Sequence, residues 1–186
     1  LRTRFLPYDD DFVRLCRTEP QTKEAQKQIE TFLGTLGLTL SPTKSKVTTF
    51  MKGFSFLGFD ITSWSIKMRA KSVENFKTRV RDLTIRCRNL DATVIGKLNA
   101  VVRGVSRYFG TWFSKCRKQF RELDEWLRVR LRCMRYKRKS RTDNCRFKIQ
   151  HQQRAGCQFL SDWPQPLRTT ILDRPPVGAI SSVATN

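Results

Sequence analysis

At 186 residues and 21.8 kDa, with 39% hydrophobic residues, the chain holds enough apolar material for one ordinary domain or two small ones. A formal charge of +21 and a pI near 10.6 make self-repulsion severe unless a polyanion neutralises it, so nucleic acid is the expected partner. No apolar run approaches the roughly 18 residues that cross a bilayer, and Leu1-Arg2-Thr3-Arg4-Phe5 is not a signal peptide; together these predict a soluble, cytoplasmic protein with no membrane partner.

Residues 5 to 17 hold two short apolar or aromatic runs broken by Asp9, Asp10 and Asp11, the pattern of a β-hairpin with acids at its tip. Pro20 suits a first helical turn; Ala25, Ile29, Phe32, Leu33 and Leu36 recur at helical spacing, and Gly37 stands where a helix would end. An amphipathic helix is predicted over 20–36. Leu38 to Leu40, Val47 to Phe50 and Phe54 to Ile61 are rich in strand-favouring residues, with turn residues Ser41-Pro42 and Gly53 between them.

From about Ala70 the period becomes helical. One stripe is Val73, Phe76, Val80 and Leu83; a second is Val94, Leu98, Val101, Val105, Tyr108 and Trp112; a third is Phe120, Leu123, Trp126, Leu127, Leu131 and Met134. Three such helices can pack as a small bundle with basic faces outward. Between Ser114 and Arg141 there are 12 Lys or Arg against 3 acids, so the third helix should end as a cationic rod. Beyond Arg141 the periodicity fades, and Pro164, Pro166, Pro175 and Pro176 predict a weakly ordered tail. The fold class expected is α+β, divided into 1–69, 70–141, and a basic linker with proline-rich tail over 142–186.

The six cysteines, at 16, 87, 116, 133, 145 and 157, include no C-x-x-C pair and are expected to be free thiols. Cys145, His151 and Cys157 lack the close ligand pairs of zinc modules.

Three adjacent carboxylates repel one another and invite a cation. Mg²⁺ takes hard oxygen ligands from one or two carboxylates while bridging to phosphates, and a tight turn lets neighbouring Asp side chains reach one site. An ordinary Asp-rich turn explains the same residues, whereas an EF-hand lacks its ligand spacing here.

Tyr8-Asp9-Asp10-Asp11-Phe12-Val13 resembles the Y-A-D-D-F-V box of group II intron reverse transcriptases, and the resemblance continues in order along the chain. Phe32 to Val47 is similar to the family's F-L-x-x-L-G-L-x-L-N-x-x-K-T motif, and Gly53 to Ile61 to its G-F-x-F-L-G-F hairpin. Leu98-Asn99, Arg103-Gly104 and Tyr108-Phe109 resemble L-N-x-x-x-R-G-W-x-x-Y-F, and Leu123 to Arg128 resembles L-D-x-W-[IVL]-R. Five motifs in one order cover roughly residues 5 to 160. Asp9, Pro7, Arg14 and Val105 depart from the family pattern.

The resemblance implies the end of a polymerase palm followed by a three-helix basic thumb, and an RNA-directed DNA polymerase that is also an intron maturase. Asp10 would be the principal ligand of two catalytic Mg²⁺ ions and Asp11 a supporting one; Lys44 would act near the leaving pyrophosphate. Phe56, Leu57 and Gly58 would abut the primer end, although burial in a core is the plainer reading of Phe56 and Phe59. Nucleic-acid contacts are expected from Tyr8, Arg103, Arg128, Arg130, Arg132, Arg135, Lys137, Arg138 and Lys139.

The partners implied are group II intron RNA, an RNA template with its DNA primer, and dNTP substrates, and the sequence leaves room for a homodimer. The opening Leu1, almost inside a motif, leads us to expect an upstream portion supplying the family's other catalytic aspartate; without it the chain should not polymerise alone. The alternatives are a non-catalytic maturase that assists splicing and an inactive remnant of a mobile element.

Overall fold

The computed structural model describes residues 4–8, 11–39, 41, 45–138, 143, 146–163 and 180–185, with backbone only at 5, 7, 8, 11 and 180–185. The chain is α+β and divides into two compact units, Leu1–Ser65 with Thr170–Asn186, and Ile66–Thr169.

In the first unit, β1 (Arg4–Tyr8) and β2 (Asp11–Cys16) form an antiparallel hairpin in which Tyr8 stands opposite Asp11. Asp9 and Asp10 lie outside the described residues. β1 is an edge strand, where Pro7 is tolerated because its missing N–H need not serve an inner ladder. The half-buried Arg14 donates through Nη2 to Gln28 Oε1 at 3.1 Å, tying β2 to the helix α1 (Glu19–Thr35). That helix ends in a Schellman motif: Gly37 is left-handed (φ 70°), Leu38 N donates to Leu33 O at 2.9 Å and Gly37 N to Gly34 O at 3.2 Å.

Of α1, Thr22 and Ala25 are buried, whereas Phe32 and Leu36 of the predicted apolar face remain exposed. No strand forms at Leu38 and Thr39, because the Schellman turn takes up that backbone; Leu40 is outside the described residues. β3 (Lys46–Thr49) follows, then β4 (Phe54–Phe56) and β5 (Phe59–Ile61), an antiparallel pair. In the proline-rich tail, read as weakly ordered, Ile180–Thr185 forms a strand with antiparallel pairing to both β2 and β3.

The second unit begins with the short strand β6 (Ile66–Met68), whose Met68 backbone is matched by one amide side chain: Met68 N donates to Gln119 Oε1 (3.1 Å) and Gln119 Nε2 donates to Met68 O (2.9 Å). The predicted helices follow as α2 (Ala70–Leu83), α3 (Ala92–Phe109) and α4 (Arg117–Arg135). Asp91 caps α3 by accepting from Val94 N at 2.8 Å.

The α2 and α4 stripes are buried at Phe76 and Val80, and at Phe120, Leu123, Leu127, Leu131 and Met134. The buried face of α3 is turned about one residue from the predicted stripe, onto Ile95, Leu98, Val102, Ser106 and Phe109, leaving Tyr108 and Trp112 exposed. Because the helix buries Ile95 rather than Val94, the two aromatics Tyr108 and Trp112 face outward.

The stretch after Arg141, expected as a basic linker, is folded over its described residues. Asp143, Phe147, Gln152, Cys157, Phe159 and Leu160 are buried. A short helix α5 (Ile149–Arg154) leads to a 3-10 turn at Leu160–Asp162 that packs against both α3 and α4. Three helices alone do not close this core; the returning segment inserts two fully buried side chains, Phe159 and Leu160, to complete it.

Candidate nucleic-acid interface

Residues 66–163 carry 26 Lys or Arg against 8 Asp or Glu, which is 18 of the chain's 21 net positive charges. Residues 1–65 carry 9 against 7 and are nearly neutral. Since phosphate attraction scales with local positive charge, the helical unit is where a polyanion would bind.

Within it, the basic residues singled out from sequence fall into two groups. Arg103 on α3 and Arg135 at the end of α4 are exposed. Others are engaged in holding the fold. Arg130 donates from Nε to Thr84 Oγ1 at 3.1 Å and from Nη2 to Thr84 O at 2.7 Å, placing a guanidinium on the carbonyl end of α2 where the helix dipole favours a cation. Lys137, in a left-handed conformation (φ 58°), donates to Arg88 O and to Asn89 Oδ1. Arg138 grips the buried Asp143 with both arms, at 3.0 and 2.7 Å, and its hydrogen bonds hold that carboxyl below the usual range.

Arg128 lies over the Phe159 ring at 5.9 Å. Arg132 is half-buried; burial, and after it the Arg128 charge, lowers its pKa from the ordinary value. Lys139 is outside the described residues.

Trp126, predicted as core, is half-buried with Lys77 and Arg81 over its ring at 6.0 and 5.7 Å, so its face carries cations rather than apolar packing.

The polar residues of the two helical motifs prove to be anchors. Asn99 donates from Nδ2 to Gly156 O at 2.7 Å and accepts from Gln158 N at 2.9 Å, matching the backbone of the returning segment. Asp124, 1% exposed, accepts from Leu160 N at 2.7 Å, and from Ser161 N at 2.9 Å and Ser161 Oγ at 2.6 Å. Burial raises its carboxyl above the usual range, opposed by the Ser161 and Leu160 hydrogen bonds and the Arg128 charge. These roles were missed in the sequence because their partners lie 36 to 59 residues away. Thr84 and Gln119 carried no motif signal at all.

In the other unit, Tyr8 ends β1 and Asp11 starts β2; Asp10 and Lys44 lie outside the described residues. Among the described residues no group of three or more His, Cys, Asp or Glu side chains is placed to hold a metal ion. Phe56 and Phe59 pair across the β4–β5 hairpin, with Leu57 (φ 49°) and Gly58 (φ 77°) as its two-residue turn. Two consecutive left-handed residues are what a type I′ turn requires, natural for Gly58 and costly for Leu57. Phe59 is buried, whereas Phe56 is half-buried.

No helix among the described residues is long and apolar enough to cross a membrane. The geometry thus defines a basic helical unit whose core is closed by a folded-back C-terminal turn. Residues 73–154, from the first apolar residue of the α2 stripe to the last residue of α5, match the family model of the group II intron, maturase-specific domain. The match runs past Arg141, through the stretch read as a linker, in keeping with its place in the core. No curated protein matches the chain.

Proposed function

We propose that the chain is part of a group II intron-encoded reverse transcriptase and maturase, in which residues 66–163 are the thumb that holds intron RNA in its splicing-competent fold. The observation that carries this reading is the coincidence of the maturase-specific match over 73–154 with the 18 net positive charges of the same unit. The exposed Arg103 and Arg135 would contact phosphate directly, while Arg130, Lys137 and Arg138 shape the surface that presents them.

The first unit would be the end of the polymerase palm. The register that sets Tyr8 opposite Asp11, and the hard oxygen donors of Asp10 and Asp11, suit Mg²⁺. When bound, the metal pair would stabilise charge developing during nucleotidyl transfer from dNTP to a DNA primer on an RNA template. Asp10 and Asp11 would hold it, Lys44 would lie near the departing pyrophosphate, and the Phe56-Leu57-Gly58 turn would border the primer end.

The double change Asp10→Asn with Asp11→Asn in the full-length protein tests the division of labour. Intron splicing assisted by the protein should persist and primer extension should vanish. Loss of splicing with retained extension would contradict the assignment of both units.

A further inference from the structure

The C-terminal end of α3 and the loop after it expose aromatic rings that the apolar core does not use. Tyr108 is 46% exposed, Trp112 39% and Phe113 38%, whereas Phe76, Phe109, Phe120 and Phe159 of the same unit are buried. Hydrogen bonds pin the loop. Ser114 Oγ donates to Phe109 O at 2.6 Å and to Thr111 O at 3.0 Å, and Lys115 N donates to Ile66 O at 2.8 Å. At the corner, a Cβ on Gly110 would run into the Ser106 carbonyl oxygen, so no other residue closes the turn in this form. Trp112 and Phe113 stand edge to face, 5.3 Å between centroids.

A second observation lies one helical turn before Tyr108. Gly104 is in the interior of α3, where glycine is less favourable than alanine, yet a Cβ there would meet nothing within 4 Å. Packing does not require this glycine. Because helical side chains lean toward the preceding turn, the surface beside the Tyr108 ring is the surface that Gly104 leaves bare. Around it the chain is basic: Arg103, Arg107, Lys115, Arg117 and Lys118 are all exposed, and no acid occurs between Asp91 and Glu122.

We propose that Gly104, Tyr108, Trp112 and Phe113 form a stacking platform for unpaired RNA bases, with Arg103, Arg107 and Lys115 holding the adjoining phosphates. Stacking accepts any base, because each has a π-face, and the basic rim tracks the backbone. A protein partner would be met by complementary acids or a dry apolar surface, and this positive rim suits neither a second copy of the chain nor a basic partner. The inference rests on the RNA-binding reading of the same unit and names the form of RNA it takes.

The test measures binding of the whole chain to a short oligoadenylate and to a blunt RNA duplex of equal phosphate number, across a salt series. Trp112→Ala should weaken oligoadenylate about 10-fold, leave the duplex within about 2-fold, and leave both salt slopes unchanged; Trp112→Phe should recover most of the loss. Gly104→Leu should raise the unfolding midpoint, since leucine favours helix, while weakening oligoadenylate; Gly96→Ala, at another open position of the same helix, should raise the midpoint without that loss.

Equal losses on both probes, no loss on either, or a Trp112-dependent dimer in sedimentation would overturn the platform. If the unaltered chain bound neither RNA, the RNA-binding reading itself would fail, a result separable from failure of stacking alone.

Discussion

Asp124 holds Leu160: its Oδ1 accepts the Leu160 amide at 2.7 Å across 36 residues of sequence, while Oδ2 takes both the amide and the hydroxyl of Ser161. One carboxylate thereby fixes the turn that seals α3 to α4. Asp124→Ala would leave buried donors without an acceptor, and should cost about 3 kcal/mol in urea unfolding. A cost under about 0.5 kcal/mol, the range of an ordinary surface change, would show that the turn is not held this way.

The two buried carboxyls should also act oppositely with pH. Asp124 is raised from the ordinary carboxyl value of 3.8, so the stability it contributes is full below that value and declines as pH rises through the higher folded value. Asp143 is lowered from 3.8 by Arg138, so its contribution is present above 3.8 and is lost as pH falls through the lower folded value. In unfolding series at acid pH, Asp124→Asn should remove the first dependence and Arg138→Ala the second.

The basic residues should separate by substitution. Arg103→Ala and Arg135→Ala should each lower the salt slope of RNA binding by about 1 with little change in stability. Arg130→Ala should cost about 1–2 kcal/mol of stability, because it uncovers the Thr84 carbonyl at the end of α2. An Arg130 variant as stable as the parent would contradict its capping role.

Thiol chemistry reports on the same core. Cys87 is exposed, whereas Cys157 is buried and its thiol is pushed up to about 11. Alkylation under native conditions should modify Cys87 quickly and leave Cys157 intact until urea releases the returning segment. Equal rates at both would mean that this segment does not pack as described.

Much of the helical unit was legible in the sequence because its apolar spacing is strong: α2 and α4 bury Phe76, Val80, Phe120, Leu123, Leu127 and Leu131 as their stripes predict. On α3 the valines are spread around the helix, so periodicity left two registers close together, and burial of Ile95 and Phe109 decides between them. The fold of residues 146–163 was not legible. Its helix has only six residues, and its anchors are long-range hydrogen bonds to Asn99 and Asp124 that no local pattern encodes.

Nor could charge alone separate Arg130, which caps α2, from Arg135, which faces solvent; that distinction depends on where Thr84 lies in space. Asp10 and Lys44 fall outside the described residues, so their motifs remain expectations of sequence.

On the reading proposed, residues 66–163 hold group II intron RNA chiefly through phosphate. Equilibrium binding of the chain to that RNA across a salt series tests it most directly. Log affinity should fall linearly with log salt, with a slope on the order of −0.7 to −0.9 per phosphate neutralised, and substitutions confined to residues 1–65 should leave the slope unchanged. An affinity indifferent to salt, or a slope set by residues 1–65, would contradict the account.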